Sequence, residues 1–234
     1  MLSAVIIARD EGDRIEAAIR SVAFADEVLV LDSGSRDDTV ARARALGARV
    51  VETDWPGHVA QKNRAFAEAK GDWLLSIDAD ERVTDPLRES LLAFLAAPAG
   101  DGASVARRNH WLGHPLRHGR WYPDRRVRLA RRGKGRWTGN DPHDTLSVDG
   151  VVTPLTGDLE HHPYRNLGEH LSTIDRYSAL DARDGTWFDI LVRPPWHFVS
   201  AWLLRGGVCD GLPGLAVAVL GALYTFLKWS RRRW

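Results

Sequence analysis

Trp73-Leu74-Leu75-Ser76-Ile77-Asp78-Ala79-Asp80-Glu81-Arg82-Val83 is an apolar run that stops abruptly at three carboxylates within four residues. Its first half has the length and composition of a buried strand. Carboxylates crowded at the rim of a core are costly unless a cation or a polar ligand compensates them. Along an extended chain alternate residues face the same way, so Asp78 and Asp80 are expected to address one metal or one metal-bound phosphate. The competing reading is a solvated turn that follows the strand.

Working outward, the preceding residues repeat the strand–helix theme. A buried strand is expected over 4–7, then a helix with Ile15, Ala18, Ile19 and Val22 on one face. A strand over 27–31 ends in the turn Asp32-Ser33-Gly34-Ser35. Ser35 and Asp38 have capping-box spacing for a helix over about 37–46, which Gly47 stops. A short strand over 49–52, a helix over 58–70 ending at Gly71, the strand over 73–77 and a helix over 86–97 closed by Pro98 complete the first region. This alternation predicts an α/β fold, a mostly parallel sheet with helices on both faces.

Residues 101–163 differ: they are rich in Arg, Trp, His and Gly, with short strands such as 127–130 and no helical period. Helix returns over 167–182. The tail, 195–234, is strongly apolar with two Gly-containing breaks, and 211–229 carries a single charge, Lys228, before Arg231-Arg232-Arg233. A span needs about 20 apolar residues, and Pro213 and the glycines weaken a single straight one. Trp196, Trp202, Trp229 and Trp234 with a basic end suit a helix pair lying in the bilayer interface. The alternative is a helix packed on the domain or on a second subunit. The expected division is 1–100, 101–165 and 166–234.

The chain has 234 residues, 44% apolar and 27% charged, which suits one core with a smaller appended region and excludes a disordered chain. Lys+Arg at 32 against Asp+Glu at 31 leave overall charge silent about partners. The distribution is not silent. From Arg107 to Arg136 there are eleven Lys or Arg and one acid, Asp124. Trp111, Trp121, Tyr122 and Trp137 are interleaved with them, which favours an acceptor carrying sugars and phosphates on a lipid anchor over a nucleic acid, with a plain solvated surface as the alternative. The lone Cys209 excludes an internal disulfide framework and fits a reducing compartment. The N-terminus reads as a first strand and not as a signal peptide.

In open parallel sheets, ligands sit beyond the carboxyl ends of the strands. Three such ends present acids here: Asp10-Glu11, Asp32, and Asp78 with Asp80. Neither a G-x-G-x-x-G fingerprint nor a P-loop is present. Acids without a phosphate-holding glycine nest can hold a diphosphate if a divalent cation bridges them. Asp32 is then placed to accept hydrogen bonds from a base or ribose, and Asp80 to hold the metal.

The stretches Ser3-Ala4-Val5-Ile6-Ile7-Ala8-Arg9-Asp10-Glu11 and Val30-Leu31-Asp32-Ser33-Gly34-Ser35-Arg36-Asp37-Asp38-Thr39 resemble the donor half of inverting family 2 glycosyltransferases. Gln61-Lys62-Asn63-Arg64-Ala65 and the segment from Gly71 to Val83 continue the likeness in order. Trp121-Tyr122-Pro123-Asp124-Arg125-Arg126-Val127-Arg128-Leu129, Pro142-His143-Asp144 and Gly157-Asp158-Leu159-Glu160-His161 resemble a narrower branch, the bacterial lipopolysaccharide core transferases of the beta-glucosyltransferase type. The likeness extends to Asp210-Gly211-Leu212-Pro213-Gly214. It implies a GT-A-type nucleotide-sugar-binding fold, with 1–100 binding the donor and 101–165 binding the acceptor and carrying catalysis; 166–234 is expected, from its own composition, to be a helical region associating with a membrane interface.

By the same resemblance Asp32 contacts uracil or ribose, and Ala8, Asp10 and Glu11 flank the nucleotide. Ser35, Lys62, Asp78 and Ala79 belong to the nucleotide-sugar site, Asp78 on its ribose side. Asp80 binds Mg2+ or Mn2+ through the diphosphate, and His161 either completes the metal site, imidazole suiting Mn2+ better than Mg2+, or serves as a structural hydrogen-bonder. Asp144 stands where the family has its catalytic base, and Trp121, Arg125 and Arg126 face the acceptor. Two positions depart from the pattern: Asp10 stands where Asn is usual, and Asp144 where the branch commonly has Glu. The expected activity moves a sugar, glucose from UDP-glucose, onto lipopolysaccharide core or a related lipid-linked saccharide. The expected location is cytoplasmic, peripheral to the inner membrane, with possible homo-oligomers through the C-terminal helices and no nucleic-acid partner. The alternatives are transfer to polyprenyl phosphate or another glycan, and a catalytically silent nucleotide-sugar-binding membrane module. A nucleotidyltransferase is disfavoured, because the first strand lacks a Gly-rich, Lys/Arg-bearing loop for a triphosphate.

Overall fold

The structure, a computed structural model, describes residues 1–140 and 143–233. Pro142 of the quoted motif and Trp234 of the aromatic tail lie outside the described residues. The chain divides into two compact units, one of Met1–Arg107 with Arg125–His161 and one of Arg108–Asp124 with His162–Trp234.

In the first unit β1 (Leu2–Ala8), α1 (Ile15–Ser21), β2 (Glu27–Asp32), α2 (Thr39–Ala45), β3 (Arg49–Glu52), α3 (His58–Glu68) and β4 (Trp73–Asp78) alternate as expected. Along the chain they are followed by β5 (Glu81–Val83), α4 (Asp85–Ala96), β6 (Gly102–Trp111), β7 (His114–Pro115), β8 (Asp124–Arg131), β9 (Gly135–Asn140), β10 (His143–Val148) and β11 (Val152–His161), of which β7 and the last residues of β6 belong to the second unit. The main sheet has the order β3-β2-β1-β4-β8-β6-β11-β5, with β7 paired to β6, and β9 and β10 form a separate hairpin. Pairing is parallel from β3 to β4 but antiparallel where β4 meets β8 and β11 meets β5. The sheet is therefore mixed, which refines the expectation of a mostly parallel one. Antiparallel neighbours need no crossover helix, in keeping with the missing helical period after residue 101.

Strand alternation builds two cores. Leu2, Ala4, Ile6 and Ala8 of β1 pack with Ile15 and Ile19 of α1, Ala43 of α2 and Leu87 and Leu91 of α4. Val5 joins Leu29, Leu31 and Leu74 against Ala65 and Phe66 of α3 and Trp137 of β9. A strand apolar on both sides must be covered on both, which is why helices lie on either face. Each fully buried Leu or Ile contributes about 1.5–3 kcal/mol. The register pairs Ala8 with Asp32 and Ile7 with Asp78, so the strands deliver those acids to one edge of the sheet.

Three local expectations need correction. The Ser35–Asp38 capping box does not form: α2 starts at Thr39 with Asp38 at its N-cap and no side-chain cap, because Ser35 is held by Asp32 instead. The chain also turns at Ala79-Asp80 before β5. The extended geometry that would send Asp78 and Asp80 the same way is therefore absent.

The third correction concerns the second unit, which holds α5 (Leu167–Leu180), α6 (Trp187–Val199) and α7 (Gly211–Ser230). Helix starts before the expected tail, at Trp187, because Thr186 and Asp189 form a capping box. α6 keeps Pro194 and Pro195 inside it and runs on into a π-helical turn, Ser200–Leu204. α7 is one uninterrupted helix of 20 residues. Pro213 falls in its first turn, where a missing N–H costs nothing. Gly207–Ser230, with a mean hydropathy of 1.5, is long and apolar enough to cross a membrane by length and composition.

Candidate active site

A chain of alternating charge runs through the first unit from β5 to β10. Glu81 opens β5 and is fully buried. It accepts a hydrogen bond from the Arg128 guanidinium at 2.5 Å and from the Asp78 N–H at 3.0 Å. Arg128, on β8, also donates to Asp78 Oδ2 at 3.1 Å. Lys62 of α3 reaches Asp78 Oδ1 at 3.0 Å and Asp144 Oδ2 at 2.7 Å, its Nζ lying 4.3 Å from the centroid of the Trp137 ring. Burial opposes ionisation of Asp78, but Lys62 and Arg128 outweigh it and hold its carboxyl far below the usual range. Burial likewise lowers Arg128, and Glu81 and Asp78 more than restore it, keeping the guanidinium charged.

The hairpin that carries Asp144 is fastened to α3. Asn63 donates from Nδ2 to the Trp137 carbonyl at 2.9 Å and accepts the Trp137 N–H at 2.9 Å. Across the hairpin Asp144 pairs with Gly139. Lys62, Asp78, Arg107, Arg128, Trp137 and Asp144 line a cavity of about 170 Å³, which Arg126 also borders.

A second group stands at the turn after β4. Asp80 Oδ2 lies 3.4 Å from His161 Nε2 and 3.7 Å from Arg14 Nη1, and Arg14 lies 3.8 Å from Glu11 Oε2. Burial raises the Asp80 carboxyl and the nearby His161 lowers it, with a net shift downward.

The nucleotide-side loops are tied to each other. Asp32, fully buried, accepts the N–H groups of Gly34 and Ser35 at 2.9 and 2.8 Å and the Ser35 hydroxyl. Gly34 takes a φ of 79°, which lets the turn wrap onto the carboxylate. Asp10, itself at φ 54°, donates its N–H to Ser35 Oγ at 2.9 Å and accepts the Arg36 N–H at 2.7 Å. Asp is among the few side chains that tolerate this backbone region. The Glu11 N–H goes to Thr39 Oγ1 at 2.9 Å. Ala8 and Ala79 are buried in the core, leaving their backbones as the groups that a ligand would meet.

The structure thus brings Lys62, Asp78, Arg126 and Asp144 to one cavity and pairs Asp80 with His161. Asp78 has each carboxylate oxygen on a cation, so a ribose contact would compete with two ion pairs. Trp121 lies in the second unit, with its ring 5.7 Å from His170 and 6.2 Å from Tyr164, and Arg125 reaches the Leu155 carbonyl at 3.5 Å. Glu81, grouped by sequence with the metal-facing acids, is instead the buried counter-ion of Arg128. The sequence assigns no role to Arg128 or Asn63, and Trp137, expected among the sugar-facing aromatics, is instead buried beneath Lys62. Arg128 had one readable signal, a cation set beside the apolar Leu129-Ala130 of a strand.

The family model described as glycosyl transferase family 2 matches residues 3–146. The lipopolysaccharide core biosynthesis glycosyltransferase LpsC of Rhizobium meliloti is 32% identical over 98% of this chain and 91% of its own length. An uncharacterized glycosyltransferase of Rickettsia felis is 47% identical over 99% of this chain and 89% of its own. Among solved structures, glucosyl-3-phosphoglycerate synthase from Mycobacterium tuberculosis, in complex with Mn2+, UDP and glucosyl-3-phosphoglycerate, is similar over 47% of this chain. Its identity there is 32% and its TM-score 0.39, and the chain covers 44% of its length.

Proposed function

The chain belongs to glycosyltransferase family 2 and moves a sugar from a nucleotide sugar; from that premise we propose the following chemistry. The donor is UDP-glucose, the transfer inverts the anomeric carbon with a divalent cation present, and the acceptor is lipopolysaccharide core or a related lipid-linked saccharide at the cytoplasmic membrane surface. The LpsC relative, alike over nearly the whole of both chains, supports the acceptor class. One observation carries the site assignment: the charge chain Glu81–Arg128–Asp78–Lys62–Asp144 ends in a carboxylate held at the wall of a cavity.

Inverting transfer is one displacement, in which the acceptor hydroxyl loses a proton as the diphosphate departs. Asp144 accepts that proton at its carboxylate. Lys62 fixes the carboxylate's position, and Asp78 and Arg128 fix Lys62. Trp137, buried beneath Lys62, backs the ammonium with its ring, and Arg126 and Arg107 attract a phosphorylated or acidic acceptor. The loops at Ala8–Glu11 and Asp32–Ser35, stapled through Asp10, seat the nucleoside.

Asp80 and His161 fit a divalent cation. Two neighbouring ligands, each about 2.1 Å from one ion, stand about 3 Å apart, and these two atoms are 3.4 Å apart. A carboxylate with an imidazole favours Mn2+ over Mg2+. Bound there, the cation would neutralise charge on the leaving diphosphate.

The test incubates purified protein with Mn2+ or Mg2+ and a panel of nucleotide sugars, reading nucleotide release with and without truncated core acceptor. Acceptor-dependent release from UDP-glucose is expected. Folded protein that releases nucleotide from no donor would overturn the reading. Transfer to polyprenyl phosphate that survives Asp144→Asn would move the acceptor to an already ionised phosphate, which needs no base.

A further inference from the structure

The second unit exposes more large apolar side chains than a water-facing surface ordinarily gathers. On α6 Trp187, Phe188, Leu191, Val192 and Trp196 recur at helical spacing on one face, with Phe188 and Leu191 65% and 64% exposed. On α7 Leu212, Val219, Leu223 and Phe226 form another stripe, and Leu203, Leu204 and Val208 stand exposed in the turns between the helices. The inner faces are closed. Ile190 and Pro194 of α6 and Gly214, Val217 and Ala218 of α7 are buried. Gly221 comes so close to His197 that a Cβ there would sit 2.4 Å from Nε2.

Cations flank these stripes. The Arg233 guanidinium lies 4.4 Å from the Trp187 ring centroid, and Arg193 lies 4.5 Å from that of Trp229. At the far end of α6 Arg205 is exposed, and so are Arg117 and Arg120 in the loop whose Gly119 N–H donates to the Arg205 carbonyl at 2.8 Å. Asp210, the acid at that end, is occupied by the N–H groups of Arg117 and His118. Arginine and tryptophan bordering apolar stripes match a layer of anionic headgroups over acyl chains. A second copy of the chain would instead present the same arginines.

Deepening the membrane part of the reading above, on which it rests, we infer that α6 and α7 form a docking face that lies within the headgroup–acyl boundary of an anionic bilayer, α7 lying in the plane and not crossing. Crossing would carry the packed α6, with Asp189, Arg193 and His197, into hydrocarbon, or strip it from α7.

The test floats the full chain with phosphatidylcholine vesicles with and without phosphatidylglycerol. Binding is expected to be at least ~10-fold stronger with the anionic lipid and to weaken with salt. Phe188→Asp with Leu191→Asp should lower it ~10-fold or more without moving the thermal unfolding midpoint. Arg117→Gln with Arg205→Gln should remove most of the preference for anionic lipid while leaving residual binding. A fluorophore on Cys209, the only cysteine, should report a shallow depth, and alkaline carbonate should release the bound protein. Binding that ignores the acidic pair, protein that resists carbonate, or a lipid-free dimer that the acidic pair splits would each overturn the inference. Nucleotide release from soluble UDP-glucose, read on the same samples, keeps the two readings apart. Its absence from wild-type protein that floats would count against the transferase chemistry alone, and its survival in Phe188→Asp/Leu191→Asp protein that no longer floats would confine the defect to docking.

Discussion

The two units set their cations against different partners. In the first, Lys62 and Arg128 are buried between Asp78, Asp144 and Glu81, so that each charge fixes the next. In the second, Arg193 and Arg233 lie over tryptophan rings beside exposed apolar helices. Buried ion pairs hold a geometry only while every member is present, because a remaining partner is left charged and dry. Cation–π contacts at a surface are individually weak and leave the apolar face open. The first unit therefore holds its charges in one fixed arrangement, whereas the second leaves large apolar side chains exposed.

The largest expected effect probes the end of the first unit's charge chain. Asp144→Asn should cut turnover by about 10²–10⁴ while changing UDP affinity little, as read by steady-state rates beside calorimetry. Equal losses in both would make Asp144 a donor ligand and not the base.

Next comes stability. Glu81→Gln leaves Arg128 facing a neutral amide in a buried site, and breaking a buried pair typically costs about 3–5 kcal/mol. Denaturant unfolding measures it. A cost below ~1 kcal/mol would mean that water reaches the guanidinium and that the chain is not rigid.

Acid should separate the units. His170 and His197 of the second unit have pKa values pushed down to about 4, His170 by burial and His197 by burial together with Arg120 and Arg205. The unfolded chain, at the ordinary 6.5, takes up these protons first. Stability is therefore lost as pH falls from 6.5 towards 4 and levels off below that. For His170, 3% exposed, the full term is about 3 kcal/mol. Asp78 titrates differently: its folded pKa is far below 3.8, so its contribution is complete above the unfolded value and is lost only as pH falls below it. Hydrogen exchange followed by peptide should show the second unit opening at the higher pH. His170→Gln should flatten the segment between 6.5 and 4, and an unchanged profile would refute the assignment.

The smallest effect tests the helix that the tail's composition hid. Thr186→Ala removes a side chain that accepts the Asp189 N–H at 3.3 Å and should cost about 1 kcal/mol, lowering helicity of the second unit without changing nucleotide release.

How much of this was legible follows from range. Alternation in β1 and the stop at Asp78 are local signals, and the strands and helices of the first hundred residues could be placed from them. Lys62 and Asp144 are 82 positions apart and meet only because Asn63 clasps the backbone of Trp137 and brings the hairpin onto α3. No local pattern encodes that clasp. Asp78 and Asp80 were read as two acids on one side because an extended chain was assumed, and the turn at Ala79-Asp80 sends one to Lys62 and the other to His161. The apolar tail was expected from 195, but the Thr186–Asp189 box starts α6 at Trp187, ahead of it.

By itself, then, the sequence determined the α/β order, the acids at the strand ends and the family, since periodicity and motif spacing are properties of neighbouring residues. Tertiary structure alone decided which partner each acid meets: Asp78 lies between Lys62 and Arg128, Asp144 on Lys62, Glu81 on Arg128 and Asp80 beside His161. A carboxylate's surroundings depend on the side chains within a few ångströms of it, and those arrive from distant elements: the cations from α3 and β8, and an imidazole from β11.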